Sequence, residues 1–178
     1  AALEAGWDVD LVHGPVALTI PDGVRAHPVV TAEAMFQACT PLFPRCHLLL
    51  MCAAVCDIKP VSVSPLKVKK DDLSLQVTFE RTRDILKTLG ERRNPGQILV
   101  GFAAETDNLE SYARQKLRQK NLDWIVANSV SAGGAFEAAD NTVTLLGKSG
   151  AALHFGPAPK LDVARWIIRQ TTPSPCES

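Results

Sequence analysis

No segment of this 178-residue chain is apolar for the roughly 20 residues that cross a bilayer, since the longest such run is Leu48 to Cys56. No basic stretch followed by an apolar one opens it either, so no leader is read and the chain is expected to be soluble and cytoplasmic. Charge of one sign is missing as well: 19 Lys+Arg stand against 19 Asp+Glu. That balance lacks the cation excess with which proteins neutralise nucleic acid phosphates, so nucleic acid is not an expected partner and any phosphate recognition has to be local. The five cysteines, at 39, 46, 52, 56 and 176, are an odd set in a chain long enough to need no staples, which argues against a disulfide framework. Cys52 and Cys56 lie four apart in an apolar run with no second Cys or His pair at ligand spacing, and they read as buried core thiols rather than metal ligands. Neither G-x-x-x-x-G-K-[ST] nor G-x-G-x-x-G occurs, which leaves no Walker loop and no dinucleotide fingerprint. The histidines at 13, 27, 47 and 154 fall near strand starts, in turns or on hairpins, where structural roles are expected.

What is present is a globular composition, 46% hydrophobic and 21% charged, sufficient for one domain with its own core. Short apolar runs alternate with helical patterns, the signature of strands joined through helices into a mostly parallel sheet. Ala1 to Ala5 followed by Gly6 has the form of a last helical turn with its C-terminal glycine. Strands are expected at Val9 to Val12 and, interrupted by Pro28, at Val24 to Val30. Thr31 caps a helix through Met35 and Ala38, and Leu48 to Cys56, apolar on both faces, is expected as a central parallel strand. Ile58 to Lys70, with two prolines and no period, is expected as a loop long enough to carry function. Leu73, Leu75, Val77 and Phe79 alternate as a strand, and a helix is read over Arg83 to Arg93. Ile98 to Val100 and Trp124 to Ala127 are further buried strands, with a helix striped by Leu109, Tyr112, Ala113 and Leu117 between them. Asn141 to Leu146 and Ala151 to Phe155 flank Lys148-Ser149-Gly150 as a hairpin. Leu161 to Arg169 forms a last helix, and Thr171 to Ser178 reads as a disordered tail.

Ligands of open parallel sheets bind beyond the carboxyl ends of the strands, and three such ends stand out. They are Ala53-Ala54-Val55-Cys56-Asp57, Gly101-Phe102-Ala103-Ala104-Glu105-Thr106, and Ala127-Asn128. Small residues there admit a flat ligand to the backbone, while Asp57 and Asn128 can bond sugar hydroxyls or base edges. The competing reading is that the alanines only relieve crowding under a helix. Lys116 and Lys120, four apart on one helix face, suit a phosphate clamp, although Arg114, Arg118 and Gln119 nearby also fit a merely solvated face. Lys67-Val68-Lys69-Lys70 closes the Pro-containing segment and suits a flap that carries ammonium groups to a polyphosphate.

Taken together these blocks resemble the phosphopantothenoylcysteine synthetase (phosphopantothenate-cysteine ligase) family of bacterial type. The resemblance rests on Val9 to Val16, Met51 to Asp57, Lys67 to Lys70 and Val100 to Thr106. It continues through Ala113 to Leu117 with Lys120, Ile125 to Asn128, and Asp140-Asn141, and so covers residues 1 to about 170. It implies an α/β, Rossmann-like, mostly parallel sheet flanked by helices, with a C-terminal β-hairpin and a flap loop. It further implies that 4'-phosphopantothenate and L-cysteine are joined with CTP and Mg²⁺ through an acyl-cytidylate, releasing pyrophosphate and then CMP. By the same resemblance, Lys67 is the catalytic flap lysine, and Ala53, Ala54 and Asp57 contact the nucleotide with Asn128. Phe102, Ala103, Ala104 and Glu105 line the base pocket, Lys116 and Lys120 hold the triphosphate, and Phe136 forms a pocket wall.

The family's usual Lys-Asn-Pro-Asp-Ile-Leu stands here as Arg81-Thr82-Arg83-Asp84-Ile85-Leu86. Its first strand, its Ser-Ser-Gly-Lys phosphate loop and an asparagine acting on the intermediate are expected before Ala1, so the domain reads as N-terminally incomplete. A homodimer is expected, and an upstream flavin-dependent decarboxylase is the expected fusion partner. The alternative is a non-catalytic nucleotide-binding or assembly module of the same fold. A nicotinamide-dependent enzyme is the third reading, disfavoured by the missing glycine fingerprint.

Overall fold

The computed structural model describes residues 1–64, 66, 67, 69, 76–105, 109–129 and 140–172. Among these residues the main sheet has five strands in the order β3-β6-β7-β8-β9. These are β3 (Leu48–Met51), β6 (Ile98–Glu105), β7 (Trp124–Ser129), β8 (Asp140–Gly147) and β9 (Ala152–Pro159). The first three are parallel and the last two close the sheet as an antiparallel hairpin. A parallel pair, β1 (Asp10–His13) with β2 (Arg25–Pro28), and an antiparallel pair, β4 (Ile58–Pro60) with β5 (Phe79–Arg81), stand beside it.

The sheet is covered on both faces because its central strands alternate apolar side chains to the two sides. Leu99, Ile125 and Leu146 point to one face, where they meet α1 (Ala32–Leu42), α2 (Ile85–Glu91) and α3 (Leu109–Gln119). Val100, Val126 and Leu145 point to the other, against Val163 and Ile167 of α4 (Lys160–Thr171). Full burial of each such aliphatic side chain is worth about 1.5–3 kcal/mol. Gly101 is required here, since a Cβ at that position would lie 2.7 Å from the Leu122 side chain and 3.1 Å from Leu86.

Local chemistry sets the element ends. The Thr31 hydroxyl accepts the Ala34 N–H at 3.1 Å and starts α1, and the Asp84 carboxylate accepts the Lys87 N–H at 3.0 Å and starts α2. Helix α2 therefore begins at Ile85, not at Arg83. Gly6, at φ 79°, closes the opening turn with Gly6 N–H to Leu3 and Trp7 N–H to Ala2 carbonyls, the expected C-terminal glycine motif. Gly150, at φ 100°, turns the β8–β9 hairpin where Lys148-Ser149-Gly150 places it.

Five further expectations need correction. Leu48 to Cys56 is not one central strand: β3 ends at Met51, has a single partner among the described strands, and is half-buried. A tight turn follows, with the Val55 N–H on the Ala53 carbonyl at 3.0 Å, which takes the backbone out of the ladder. Cys52 and Cys56 are accordingly exposed rather than in the core, although protein atoms crowding the Cys52 sulfur push its thiol up to about 11. Ile58 to Lys70 is not all loop, because Ile58–Pro60 pairs with Phe79–Arg81, and the strand at Phe79 begins there rather than earlier among the described residues. Thr171 belongs to α4, buried, with its hydroxyl donating to the Ile167 carbonyl, so no tail starts at that residue.

Candidate functional site

A cleft of about 820 Å³ opens beyond the ends of strands β1, β2 and β3. Gly14 follows β1, Val29 and Val30 follow β2, and Ala53 to Cys56 follow β3. This is the position at which open α/β sheets present ligand sites. The amino end of α1, at Thr31 to Glu33, forms one wall and Arg81 to Arg83 form the opposite one. The three cationic lining residues, Lys59, Arg81 and Arg83, outnumber the acidic ones, Glu33 and Glu80, so the cleft carries a small positive excess. Lys59 is taken up by Glu80 at 3.1 Å.

Thr82 ties the walls together. Its hydroxyl donates to the Cys56 carbonyl and its N–H donates to the Asp57 carbonyl at 2.9 Å. Both bonds use backbone acceptors, so the turn after β3 is pinned to β5 whatever occupies the cleft. The next residue, Arg83, lays its guanidinium 4.4 Å from the Phe36 ring centroid and reaches Glu33 at 3.6 Å. Stacking on a buried ring holds the planar cation at the cleft wall with few free rotamers.

Of the residues expected to act, Ala53 and Ala54 line the cleft directly. Asp57 adjoins it and is exposed, its carbonyl engaged by Thr82. Phe102, Ala103 and Ala104 run along β6 towards the same sheet edge, with Phe102 exposed and Ala103 buried. Ala104 is in register with Asn128 of β7, and Glu105 with Ser129, so these strand ends are adjacent. None of them lines the cleft. Lys120, the residue after α3, is bound to Asp84 at 3.0 Å, one residue beyond the cleft wall at Arg83. Lys116 is half-buried one turn earlier on α3. Lys67 is exposed between β4 and β5 and is not among the residues that line the cleft. Phe136 lies outside the described residues.

Sequence reasoning missed Thr82, Arg83 and the Val29 to Glu33 wall. The last had a usable signal: Val29-Val30 follows a strand and precedes a helix cap, and so is a strand end by the rule that selected Ala53. No group of three or more His, Cys, Asp or Glu side chains gathers to hold a metal ion among the described residues. No helix among them is long and apolar enough to cross a membrane.

A family model described as DNA/pantothenate metabolism flavoprotein C-terminal domain matches residues 1–173. The chain is 44% identical over 172 residues to the coenzyme A biosynthesis bifunctional protein CoaBC of Bacillus subtilis (strain 168), covering 96% of this chain and 42% of that protein. It thus spans less than half the length of that relative. Among solved structures, the C-terminal domain of a coenzyme A biosynthesis bifunctional protein CoaBC superposes with a TM-score of 0.79 at 38% identity, covering 95% of this chain and 75% of the other. A Cab2 variant solved in complex with phosphopantothenate-cysteine has the same fold, with a TM-score of 0.58 at 18% identity over 85% of this chain and 56% of that one.

Proposed function

The chain belongs to the DNA/pantothenate metabolism flavoprotein C-terminal domain family, and from that premise we propose that it is the unit that ligates 4'-phosphopantothenate to L-cysteine. The observation that carries this reading is the cleft at the ends of β1 to β3, floored by Ala53 and Ala54 and bordered by a net positive wall. It is large enough for a nucleotide together with a small phosphorylated acid.

In the proposed reaction a carboxylate oxygen of 4'-phosphopantothenate forms a bond to the α-phosphorus of CTP, and the α–β anhydride bond breaks to release pyrophosphate. The cysteine nitrogen then bonds to the acyl carbon of the acyl-cytidylate. The carbon–oxygen bond to the nucleotide breaks, CMP leaves, and a proton is lost from the amine. Neither step uses a covalent enzyme intermediate, so the chain's task is to position reactants and to stabilise charge on the phosphoryl oxygens. Lys67 is assigned that stabilisation, and Lys116 and Lys120 are assigned the triphosphate. Asp57 and Asn128 are assigned hydrogen bonds to the nucleoside, beside Phe102, Ala103, Ala104 and Glu105. Phe136 completes the set.

Mg²⁺ fits this donor set as an ion shared with nucleotide phosphates, because Mg²⁺ is usually bound by one or two carboxylates plus substrate oxygens rather than by an all-protein cage. Asp57, which adjoins the cleft, is assigned as a carboxylate that would share it, and the ion would neutralise phosphate charge. A homodimer is part of the proposal. Its support is the row of exposed apolar side chains on and between β4 and β5, namely Ile58, Val61, Val63, Leu66, Val77 and Phe79, each at least 48% exposed. Fusion to a flavin-dependent decarboxylase and a cytoplasmic location complete the reading.

Calorimetric titration with CTP, ATP and NADPH in the presence of Mg²⁺ tests it. Saturable binding of CTP is expected, and tight NADPH binding without CTP binding would remove the ligase assignment. Retained CTP binding with no pyrophosphate release in the presence of 4'-phosphopantothenate would favour the non-catalytic module.

A further inference from the structure

A second concavity, of about 220 Å³, lies between the end of α3 and the β8–β9 turn. Arg114, Arg118 and Lys148 bring three cations to it, over a floor that includes Leu117, Asn121 and Gly147. Gly147 pairs with Trp124, the first residue of β7, so this pocket sits where the parallel strands begin, at the opposite end of the sheet from the cleft. On α3, Arg114 and Arg118 are each two residues, or about 200° of helix, from Lys116 and Lys120. The helix therefore carries two basic faces, and the proposed ligase reaction uses only one.

The ordinary explanation for cations at a helix end is that they serve its unpaired carbonyls. That explanation is weak here because the carbonyls of Lys116, Leu117 and Arg118 are already paired. Asn121, at φ 52°, closes a Schellman motif in which Leu122 N–H reaches the Leu117 carbonyl at 3.0 Å and Asn121 N–H reaches that of Arg118 at 3.3 Å. The Lys116 carbonyl takes the Lys120 N–H at 3.0 Å. Nor do nearby acids neutralise the set. Glu110 holds Arg114 at 2.7 Å, but Asp123 is occupied by Arg93 at 3.0 Å and by the Leu99 N–H at 2.9 Å. Among the described residues neither Arg118 nor the Lys148 ammonium has an acidic partner; the ammonium lies 3.4 Å from the Asn121 side-chain oxygen, and the Lys148 backbone N–H donates to the Asp123 carbonyl at 2.8 Å. Arg114 also approaches the Gly150 carbonyl at 3.4 Å, linking the helix to the turn.

The geometry points to a binding site for a small polyvalent oxyanion of the phosphate class, held between Arg118, Lys148 and the free edge of Arg114. The pocket has the volume of about seven liquid waters, room for phosphate or diphosphate. Guanidinium forks match such oxygens in paired hydrogen bonds. The inference is independent of the ligase reading, since it shares no residue with it.

The test is a titration of the isotopically labelled chain with sodium phosphate and, separately, sodium diphosphate, followed by amide NMR at an ionic strength held constant with sodium chloride. Saturable shifts are expected at residues 117–121 and 147–150, with diphosphate at least threefold tighter than phosphate if the longer anion spans the three cations, and equal affinity if a single phosphate fills the site. Combined Arg118→Gln and Lys148→Gln substitution is expected to weaken binding at least tenfold. Arg118→Lys, which keeps the charge but loses the fork, should weaken binding less than the double substitution does, and Lys67→Gln should leave these shifts unchanged. Shifts reproduced by chloride alone, or an affinity within twofold of wild type in the double variant, would overturn the site.

Discussion

Asp84→Asn separates two roles that one carboxylate holds. Asp84 caps α2 through the Lys87 N–H at 3.0 Å and also binds the Lys120 ammonium at 3.0 Å. Asparagine caps a helix about as well as aspartate, so the substitution removes the charge and keeps the cap. The side chains of the ion pair are 28% and 40% exposed, which places it among partly screened pairs worth about 0.2–1 kcal/mol. If Lys120 must leave Asp84 to hold nucleotide phosphates, that energy opposes binding. Its removal should then tighten CTP binding about 1.5- to 5-fold, while the thermal midpoint moves by no more than a few degrees. Isothermal titration of wild type, Asp84→Asn, Lys120→Gln and the double variant measures this, and the gain should vanish in the Lys120→Gln background. Weaker CTP binding by Asp84→Asn, or the same gain without Lys120, would refute the reasoning.

Three further outcomes are expected. Gly90→Ala should destabilise the chain by about 1–3 kcal/mol in chemical denaturation, because a Cβ there collides with the Lys120 backbone carbonyl. Arg25 and His27 hold the Asp10 carboxyl well below the usual carboxylate range. A depressed folded value contributes stability that is complete above pH about 4, the unfolded carboxylate's range, and is lost as pH falls below it. Denaturation midpoints at pH 6 and pH 3 should therefore differ less in Asp10→Asn than in wild type. Lys67→Gln should slow pyrophosphate release by about 100-fold or more while changing CTP affinity less than about fivefold, because the charge is assigned to the transition state; equal effects on both would assign Lys67 to ground-state binding.

Local signals were legible where one short-range interaction decides the structure. Thr31 and Gly6 act as their positions indicate, and the hairpin turns at Lys148 to Gly150. The alternating apolar strands were legible too, because Ile98 to Val100 and Trp124 to Ala127 must cover two helical layers. What was hidden depends on long-range pairing. The apolar run from Leu48 to Cys56 gives hydrophobicity but not ladder length, and a backbone turn after Ala53 ends the strand early. Ile58–Pro60 carries a proline and no period, and it becomes a strand only by meeting Phe79–Arg81 across the intervening segment. The cleft follows the same division. Ala53 and Ala54 were found by the strand-end rule, whereas Thr82 enters through a carbonyl 26 residues away and Arg83 through the Phe36 ring.

The most direct test of the ligase assignment follows one oxygen atom. With 4'-phosphopantothenate labelled with ¹⁸O in its carboxylate, CTP, Mg²⁺ and cysteine, the acyl-cytidylate route transfers one labelled oxygen to the phosphate of CMP for each amide formed. Mass spectrometry should find it there, with unlabelled pyrophosphate. Label in inorganic phosphate with release of CDP, or amide formation that leaves CMP unlabelled, would contradict the account.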